Sequence, residues 1–336
     1  EGRTSVSLTE TDELAAPRTP GGGRSLLQAS SSGRRGDRVF RAVALVSGLT
    51  VLAILALIAW STTKEAWPAF RAEGLSFVTS TKWVPAEGKF GALAFIYGTV
   101  LSSLIALVLA VPVSVGIALY ANEAAPRRLR KPVVYVMDLL AAIPSVVYGL
   151  WGVLVLAPAV QPVYETLDKF FAGWPVLGSI FHGRSGRSFM TAGIILAIMI
   201  IPIITSLSRE VIATVPPAQR EAAYGMGATR WEMIRSAVLP WSRGGIVGAV
   251  MLGLGRAMGE TIAVALVIGS FAQISIALFE PGDSMAAVIV NQFGEAQGNH
   301  RAALIGLGVV LFVVTIIVNV SARAIVGRFD RRAQGA

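Results

Sequence analysis

Two charged residues interrupt a long apolar segment of the chain, and their types and spacing suit the binding of an anion. Arg256 and Glu260 are the charged residues of Gly244–Phe271. On insertion scales an arginine near the centre of a bilayer costs roughly 2.5–3.5 kcal/mol, so a bare lipid-facing position is unfavourable. In a transport path, an arginine would instead attract an oxyanion through its charge and through paired hydrogen bonds. Glu260 would then hold Arg256 in place and keep the net attraction weak enough for release.

A purely structural role for the same pair is the alternative. Residues four apart on a helix share one face, so Arg256 and Glu260 are expected to be neighbours. An internal salt bridge, with Asp138 as a third member, would then fix helix packing and bind nothing. An arginine four residues before its glutamate is the less favourable order for such a pair, which favours the transport path.

A second candidate segment, residues 208–243, has the pattern of two short helices joined by a glycine turn. The Pro216–Pro217 pair can begin a helix, because the missing amide is harmless in a first turn. Gly225–Gly227 is expected to break that helix. Thr229 and Glu232 then have the spacing of a capping box for the next helix.

Pro240 is expected to close the second of these helices. A DNA-binding helix-turn-helix is one alternative reading of the segment, and a merely structural loop is another. The segment lies between two apolar runs and has only a modest excess of basic residues, which argues against nucleic acid.

The composition indicates the elements that must hold these residues. Hydrophobic residues make up 54% of the 336 residues and charged residues 15%, whereas soluble domains have about 25% charged residues. A water-soluble globule could not bury so much apolar surface, so we interpret the chain as an all-α integral membrane protein. The absence of cysteine and the presence of only two histidines argue against a metal site and against thiolate catalysis.

Six apolar regions are long enough to cross a hydrocarbon core, which takes about 20 residues. They are Ala42–Trp60, Gly91–Tyr120, Pro132–Val160, Phe189–Leu207, Gly244–Phe271 and Ala302–Ala322. A further apolar stretch, Ile274–Leu278 with Met285–Val290, is interrupted by charged residues and predicts a short re-entrant or surface segment.

Basic residues indicate the orientation of these spans. Of the 29 lysines and arginines, 20 lie on the side of the two termini, eight lie on the other side, and the last is Arg256. The positive-inside rule therefore predicts cytoplasmic termini and a cytoplasmic 208–243 loop. Residues 1–38 are expected to form a disordered cytoplasmic tail, 39–327 the membrane domain, and 328–336 a short cytoplasmic tail.

The residues of the cytoplasmic loop carry a resemblance to a known family. Glu221, Ala222, Ala223, Gly227, Leu239 and Pro240 match the EAA motif of bacterial ATP-binding-cassette importer permeases. The resemblance implies that this loop is a coupling helix that docks on a separate ATPase subunit. The chain has no phosphate-cradling glycine loop of its own. We therefore expect a permease subunit that is not an enzyme and binds no cofactor, with ATP and Mg used by the partner ATPase.

Two span segments sharpen the resemblance. Gly255–Thr261 is similar to the G-R-A-x-G-E-T segment of phosphate importer permeases, and Ile143–Gly149 is similar to their I-P-S-V-V-Y-G segment. Phe90–Thr99 resembles the PstC type of these permeases. The resemblance implies a type I importer fold of six transmembrane helices in the bacterial inner membrane. It also implies PstA as second permease subunit, two copies of the ATPase PstB, and the phosphate-binding protein PstS.

The substrate path implied by this resemblance includes Arg256, Glu260, Thr261 and Asp138. Ser145 and Tyr148 would add hydroxyl donors if they face the path, or else satisfy the backbone freed by Pro144. The expected substrate is inorganic phosphate, and sulfate, molybdate or phosphonate are the alternatives. A secondary carrier would need no EAA loop, and a membrane enzyme would need clustered catalytic groups that the sequence lacks.

Overall fold

The structure, a computed structural model, describes residues 31–334, without the side chains of residues 31–35, 127 and 325–334. The described residues divide into two compact units, one up to residue 58 and one from residue 59. Residues 1–30 of the tail predicted to be disordered lie outside the described part. Helix α1 begins at Ser31 and so takes in the remainder of that tail.

Fourteen α-helices and one short hairpin form the described chain. The helices are α1 (Ser31–Glu73), α2 (Ser76–Thr79), α3 (Leu93–Leu119), α4 (Arg127–Ala142), α5 (Ser145–Trp151), α6 (Ala157–Phe171), α7 (Pro175–Ile180), α8 (Phe189–Ala213), α9 (Pro217–Gly225), α10 (Arg230–Met233), α11 (Leu239–Gly259), α12 (Ile262–Val267), α13 (Met285–Gln292) and α14 (Gly298–Gln334). Strands β1 (Trp83–Val84) and β2 (Lys89–Phe90) pair antiparallel, with Trp83 opposite Phe90.

Six helical segments of the described chain are long and apolar enough to cross a membrane, as the sequence predicts. They are Gly36–Glu73, Leu93–Ala124, Ser145–Phe171, Phe189–Ala213, Arg230–Gly259 and Gly298–Ala324. The fold class is therefore the expected all-α membrane protein.

Two of the predicted spans have the wrong limits. The third predicted span is Pro132–Val160, but α4 ends at Ala142 and the observed span begins at Ser145. Pro144 causes this break, because a proline disfavours helical geometry in the residue before it. The fifth predicted span is Gly244–Phe271, but the helix ends at Gly259 and a short helix, α12, follows.

The prediction that Pro240 closes a helix is also wrong. Helical structure continues from α10 through a π-helical segment, Ile234–Val238, into α11, where Pro240 lies in the first turn. A proline in a regular helix removes a hydrogen bond and its ring clashes with a carbonyl one turn back. The wider π turn immediately before Pro240 accommodates this change, so the chain continues without a stop.

Three buried clusters are present in the described part of the second unit. The largest lies where α8 packs against α3, α11 and α12, with fully buried Ile195, Ile200 and Ile204. A second joins the β hairpin to α13 and α14 through Phe77 and Phe95. The third lies under the α9–α10 loop. The clusters fix the helix ends on which the candidate residues lie.

The two parts of the predicted re-entrant or surface segment differ: Ile274 and Ile276 are exposed at the surface, whereas the start of α13 is packed into the protein. The chain after α12 returns to the end of that helix, where the Gly282 amide donates to Ile268 O over 2.9 Å. Helix α13 then begins after Ser284, with Met285, Ala287 and Val288 fully buried. The charged residues that stop this stretch from spanning lie in the turn before the helix.

Candidate functional site

Two breaks in membrane helices lie against each other. Helix α5 begins after Pro144, and α12 begins after Thr261. The two short helices pack closely, because a Cβ added at Gly149 would lie 2.8 Å from Ala263 Cα. Gly149 is therefore required for the approach of α5 to α12. The contact brings the two span segments with a resemblance to phosphate importer permeases side by side.

Arg256 lies in the last turn of α11, directly before the break that leads into α12. Tyr148 lies in α5, on the other side of the contact. Tyr148 is buried and donates its hydroxyl hydrogen to Leu140 O over 2.9 Å. Arg256 is exposed on this chain. Because a lipid-facing arginine is costly, its guanidinium must face a polar path or a polar partner.

Glu260 is not on the same helix face as Arg256, contrary to the prediction. Helix α11 ends at Gly259, and the backbone of Glu260 is extended, with φ −71° and ψ 130°. The Glu260 carboxylate accepts from the Ala263 amide over 3.4 Å and so caps α12. No ion pair joins Arg256 to Glu260 among the described residues. The prediction is wrong because residues four apart share a face only in a continuous helix, and α11 ends between these two residues.

The other predicted path residues lie at different distances from this contact. Thr261 lies in the break itself, and its hydroxyl donates to Gly259 O over 3.2 Å. Ser145 is the first residue of α5 and is half-buried. Asp138 lies on α4, where it lines a small crevice with Thr205 and Arg209 of α8. Asp138 therefore lies beside the cytoplasmic half of α8, whereas Ser145 and Thr261 lie at the two helix breaks.

The predicted cytoplasmic loop has the helix–turn–helix geometry expected of it. Helix α9 begins at Pro217, and Gly227 has φ +84°, a conformation that favours glycine. Thr229 and Glu232 form the predicted capping box: the Thr229 hydroxyl accepts from the Glu232 amide over 3.4 Å, and the Glu232 carboxylate accepts from the Thr229 amide over 2.7 Å.

The EAA residues divide between the core and the surface. Ala223 is buried in the third cluster, and Leu239 packs against that cluster. Glu221, Ala222, Gly227 and Pro240 are exposed. The loop therefore presents Glu221 and Ala222 outward on a helix whose opposite face is fixed to the spans.

An ion pair that the sequence analysis missed anchors this loop. Arg220 donates from Nε and Nη2 to Glu123 Oε1, over 3.2 and 2.9 Å. Its Nη2 also donates to Ile212 O over 3.1 Å. The Glu123 side chain is only 8% exposed. The two residues are 97 positions apart, and no local pattern signals their pairing.

A sequence model of the family described as "Binding-protein-dependent transport system inner membrane component" matches residues 113–335. The chain is 45% identical over 299 residues to "Phosphate transport system permease protein PstC" of Mesorhizobium japonicum, covering 88% of this chain and 91% of that protein. It is 44% identical to "Phosphate transport system permease protein PstC 2" of Mycobacterium tuberculosis, covering 88% and 93%.

Among solved structures, the chain resembles a permease chain in the crystal structure of a bacterial alginate ABC transporter in complex with an alginate pentasaccharide-bound periplasmic protein. The TM-score is 0.54 at 20% identity, and the likeness covers 88% of this chain and 97% of that one. At this identity the likeness concerns the fold.

Proposed function

The chain belongs to the binding-protein-dependent transport system inner membrane component family, and we propose that it is the PstC-type permease subunit that carries inorganic phosphate into the cytoplasm. It is a multi-pass inner-membrane protein of an ABC transporter. Relatives named as phosphate permeases, at 40–45% identity over most of the chain, support phosphate over sulfate, molybdate or phosphonate.

The observation that carries the proposal is the position of Arg256 in the last turn of α11, directly before the break whose following helix, α12, packs on α5. A guanidinium binds a tetrahedral oxyanion through charge and two parallel hydrogen bonds, and its charge does not depend on pH. Helix breaks in a membrane protein suit a cavity, because irregular backbone is tolerated at membrane depth only where protein or water surrounds it. Arg256 would attract the anion, while Glu260 holds the start of α12.

ATP would be hydrolysed by separate subunits, for which the α9–α10 loop is the contact. We infer two PstB-type ATPase subunits, a PstA-type second permease subunit, and a PstS-type binding protein that delivers phosphate from outside. ATP and Mg would bind the ATPase subunits and not this chain. The exposed face of Glu221 and Ala222 would enter the ATPase, and the Arg220–Glu123 pair would transmit its movement to the end of the second span.

Uptake of labelled phosphate into proteoliposomes tests the substrate path. We expect Arg256→Gln to abolish uptake while the complex assembles in normal yield, and Arg256→Lys to retain part of it because the charge remains. Glu260→Gln should be milder, since an amide oxygen can still cap α12. Near-normal uptake by a double variant with apolar residues at 256 and 260 would assign both residues to packing.

A further inference from the structure

We propose that Arg184 and Arg187 form an outer oxyanion-binding site, which captures the substrate anion at the external mouth of the permease before it reaches Arg256. The two arginines lie in the connection between α7 and α8, together with Ser185 and Gly186. These four residues and Gln161 line a cavity of about 310 Å³ against helix α6. This inference rests on the proposed function, because it takes an oxyanion as the transported substrate.

The charges around this cavity favour an anion. Of the described residues, two arginines and no acidic residue line it. A neighbouring cavity that also contains Arg184 has Asp168, Glu280 and His182 in its wall, so acid groups there would repel the same ligand. Within the described residues, Asp168 is the one carboxylate that contacts Arg184, and it also contacts His182. A net positive charge therefore remains on the arginine side.

Arg184 is held in position for such a role. Its Nε donates to Asp168 Oδ2 over 3.1 Å, which leaves the two terminal amino groups of the guanidinium for a ligand. The Asp168 side chain is 9% exposed and Arg184 is 66% exposed, so a buried carboxylate fixes an accessible cation. Arg187 is exposed, and its side chain makes no hydrogen bond within the described part of the chain.

The backbone between the two arginines is fixed as well. The Thr191 hydroxyl donates to Gly186 O over 2.6 Å, and the Ser185 hydroxyl donates to Arg187 O over 2.7 Å. A Cβ at Gly186 would lie 2.3 Å from Ala157 O, so the connection lies tightly on α6. A fixed backbone reduces the ordering cost of binding.

The guanidinium groups, and not the end of helix α8, would bind the anion. The amides at the start of α8 already have acceptors: those of Ser188, Phe189 and Met190 donate to carbonyls of Val267, Glu280 and Leu278. The Thr191 amide donates to the Ser188 hydroxyl. An anion at this end of the helix would therefore depend on the two arginines.

The position of the cavity makes it an entrance to the site at Arg256. Helix α8 runs about 37 Å from Phe189 to Ala213, so Arg187 and the α9–α10 loop lie at opposite ends of it. One continuous helical segment carries Tyr148 and the cavity wall at Val153, Ala157 and Gln161. Helix α5, at the start of this segment, packs on α12, the helix that follows Arg256. At 1.5 Å per residue, these wall residues lie about 8–20 Å from Tyr148 along that segment.

Phosphorus NMR of inorganic phosphate, titrated with the whole complex in nanodiscs without binding protein, tests the site directly. We expect the double variant Arg184→Gln/Arg187→Gln to lose most of the line broadening that the unmodified complex causes. Arg187→Gln alone should lose about half of it, and this variant removes no side-chain hydrogen bond seen among residues 31–334. Lys169→Gln is the matched control, because Lys169 is an exposed cation of the same outer region that lines neither cavity.

Uptake into proteoliposomes gives the functional counterpart. The double variant should lower the import rate roughly tenfold at low salt, and less at high salt, because electrostatic capture is screened. Unchanged broadening, or an equal effect of Lys169→Gln, would overturn the proposal. If the broadening is unchanged and the double variant also binds the binding protein more weakly, the arginines serve in docking of that protein and do not bind the anion. If the complex imports sulfate and not phosphate, the proposed substrate fails, and the same comparison with sulfate uptake decides the outer site.

Discussion

Arg220 and Glu123 join the cytoplasmic loop to the end of the second membrane span through two hydrogen bonds of 2.9 and 3.2 Å to one carboxylate oxygen. Arg220 immediately precedes the exposed Glu221, and Glu123 lies in the π-helical segment that ends the span. Both side chains are largely buried, at 22% and 8% exposure. A displacement of the loop would therefore move this helix end directly.

Removal of this pair should uncouple the loop from the spans. Loss of one partner of a buried ion pair costs about 3–5 kcal/mol, and the partial exposure of Arg220 favours the lower limit. We expect Glu123→Ala to increase hydrogen exchange in α9 and to abolish substrate-stimulated ATP hydrolysis in the assembled complex. Arg230→Gln, which removes an exposed cation from the same loop, should leave hydrogen exchange in α9 unchanged. Equal exchange in both variants would contradict the anchoring role.

The glycine turn between α9 and α10 provides a test with an internal control. Gly227 has φ +84°, which costs a side-chain-bearing residue about 1–2 kcal/mol. Gly225 ends helix α9, and a Cβ there would meet no atom within 4 Å. We therefore expect Gly227→Val to lower coupled ATP hydrolysis and phosphate uptake, while Gly225→Ala has little effect on either. A larger loss of ATP hydrolysis and uptake in Gly225→Ala than in Gly227→Val would contradict the proposed role of the turn.

The contact between α5 and α12 predicts a sensitive glycine inside the membrane. A Cβ at Gly149 would lie 2.8 Å from both Ala263 Cα and a methyl carbon of Leu266, so Gly149→Val must separate the two helix breaks. Overpacking of this kind costs about 1–3 kcal/mol. We expect a lower thermal midpoint and strongly reduced uptake. Gly116→Val in α3 is the control, because a Cβ there meets no atom within 4 Å.

Local signals in the sequence were sufficient for much of the fold. Apolar runs predicted six spans because a membrane helix must be apolar along its length. Pro217 and the Thr229–Glu232 spacing predicted the starts of α9 and α10, since a cap depends on residues within one turn. These features need no knowledge of distant parts of the chain.

The features that the sequence did not reveal depend on distant contacts. The break after Gly259 precedes α12, which packs on α5, and the apolar run of Ile262–Phe271 gives no local sign of the break. The Arg220–Glu123 pair joins residues 97 positions apart. The contact between α5 and α12 likewise joins distant parts of the chain, although each half of the site has a recognisable local motif.

Asp283 is a buried carboxyl group that no local sequence pattern singles out. It lies at the end of the turn before α13 and is 5% exposed. Its side chain accepts one hydrogen bond, from the Ser284 amide over 2.8 Å. Burial raises the pKa of Asp283 to about 7, and the hydrogen bond from Ser284 opposes this effect only in part.

This raised pKa predicts a stability that falls as the pH rises. Between about pH 4 and pH 7 the folded chain holds a proton on Asp283 that the unfolded chain has lost, so the free energy of unfolding decreases through this range and levels off above it. We expect the thermal midpoint of the detergent-solubilised protein to be lower at pH 8 than at pH 5.

Asp283→Asn should remove most of that difference and stabilise the protein at pH 8, because a neutral amide avoids the cost of a buried charge and can still accept from Ser284. Glu295→Gln, at an exposed position, should leave the difference intact. If the thermal midpoint of Asp283→Asn decreases from pH 5 to pH 8 as much as that of the unmodified chain, the pH dependence belongs to other groups.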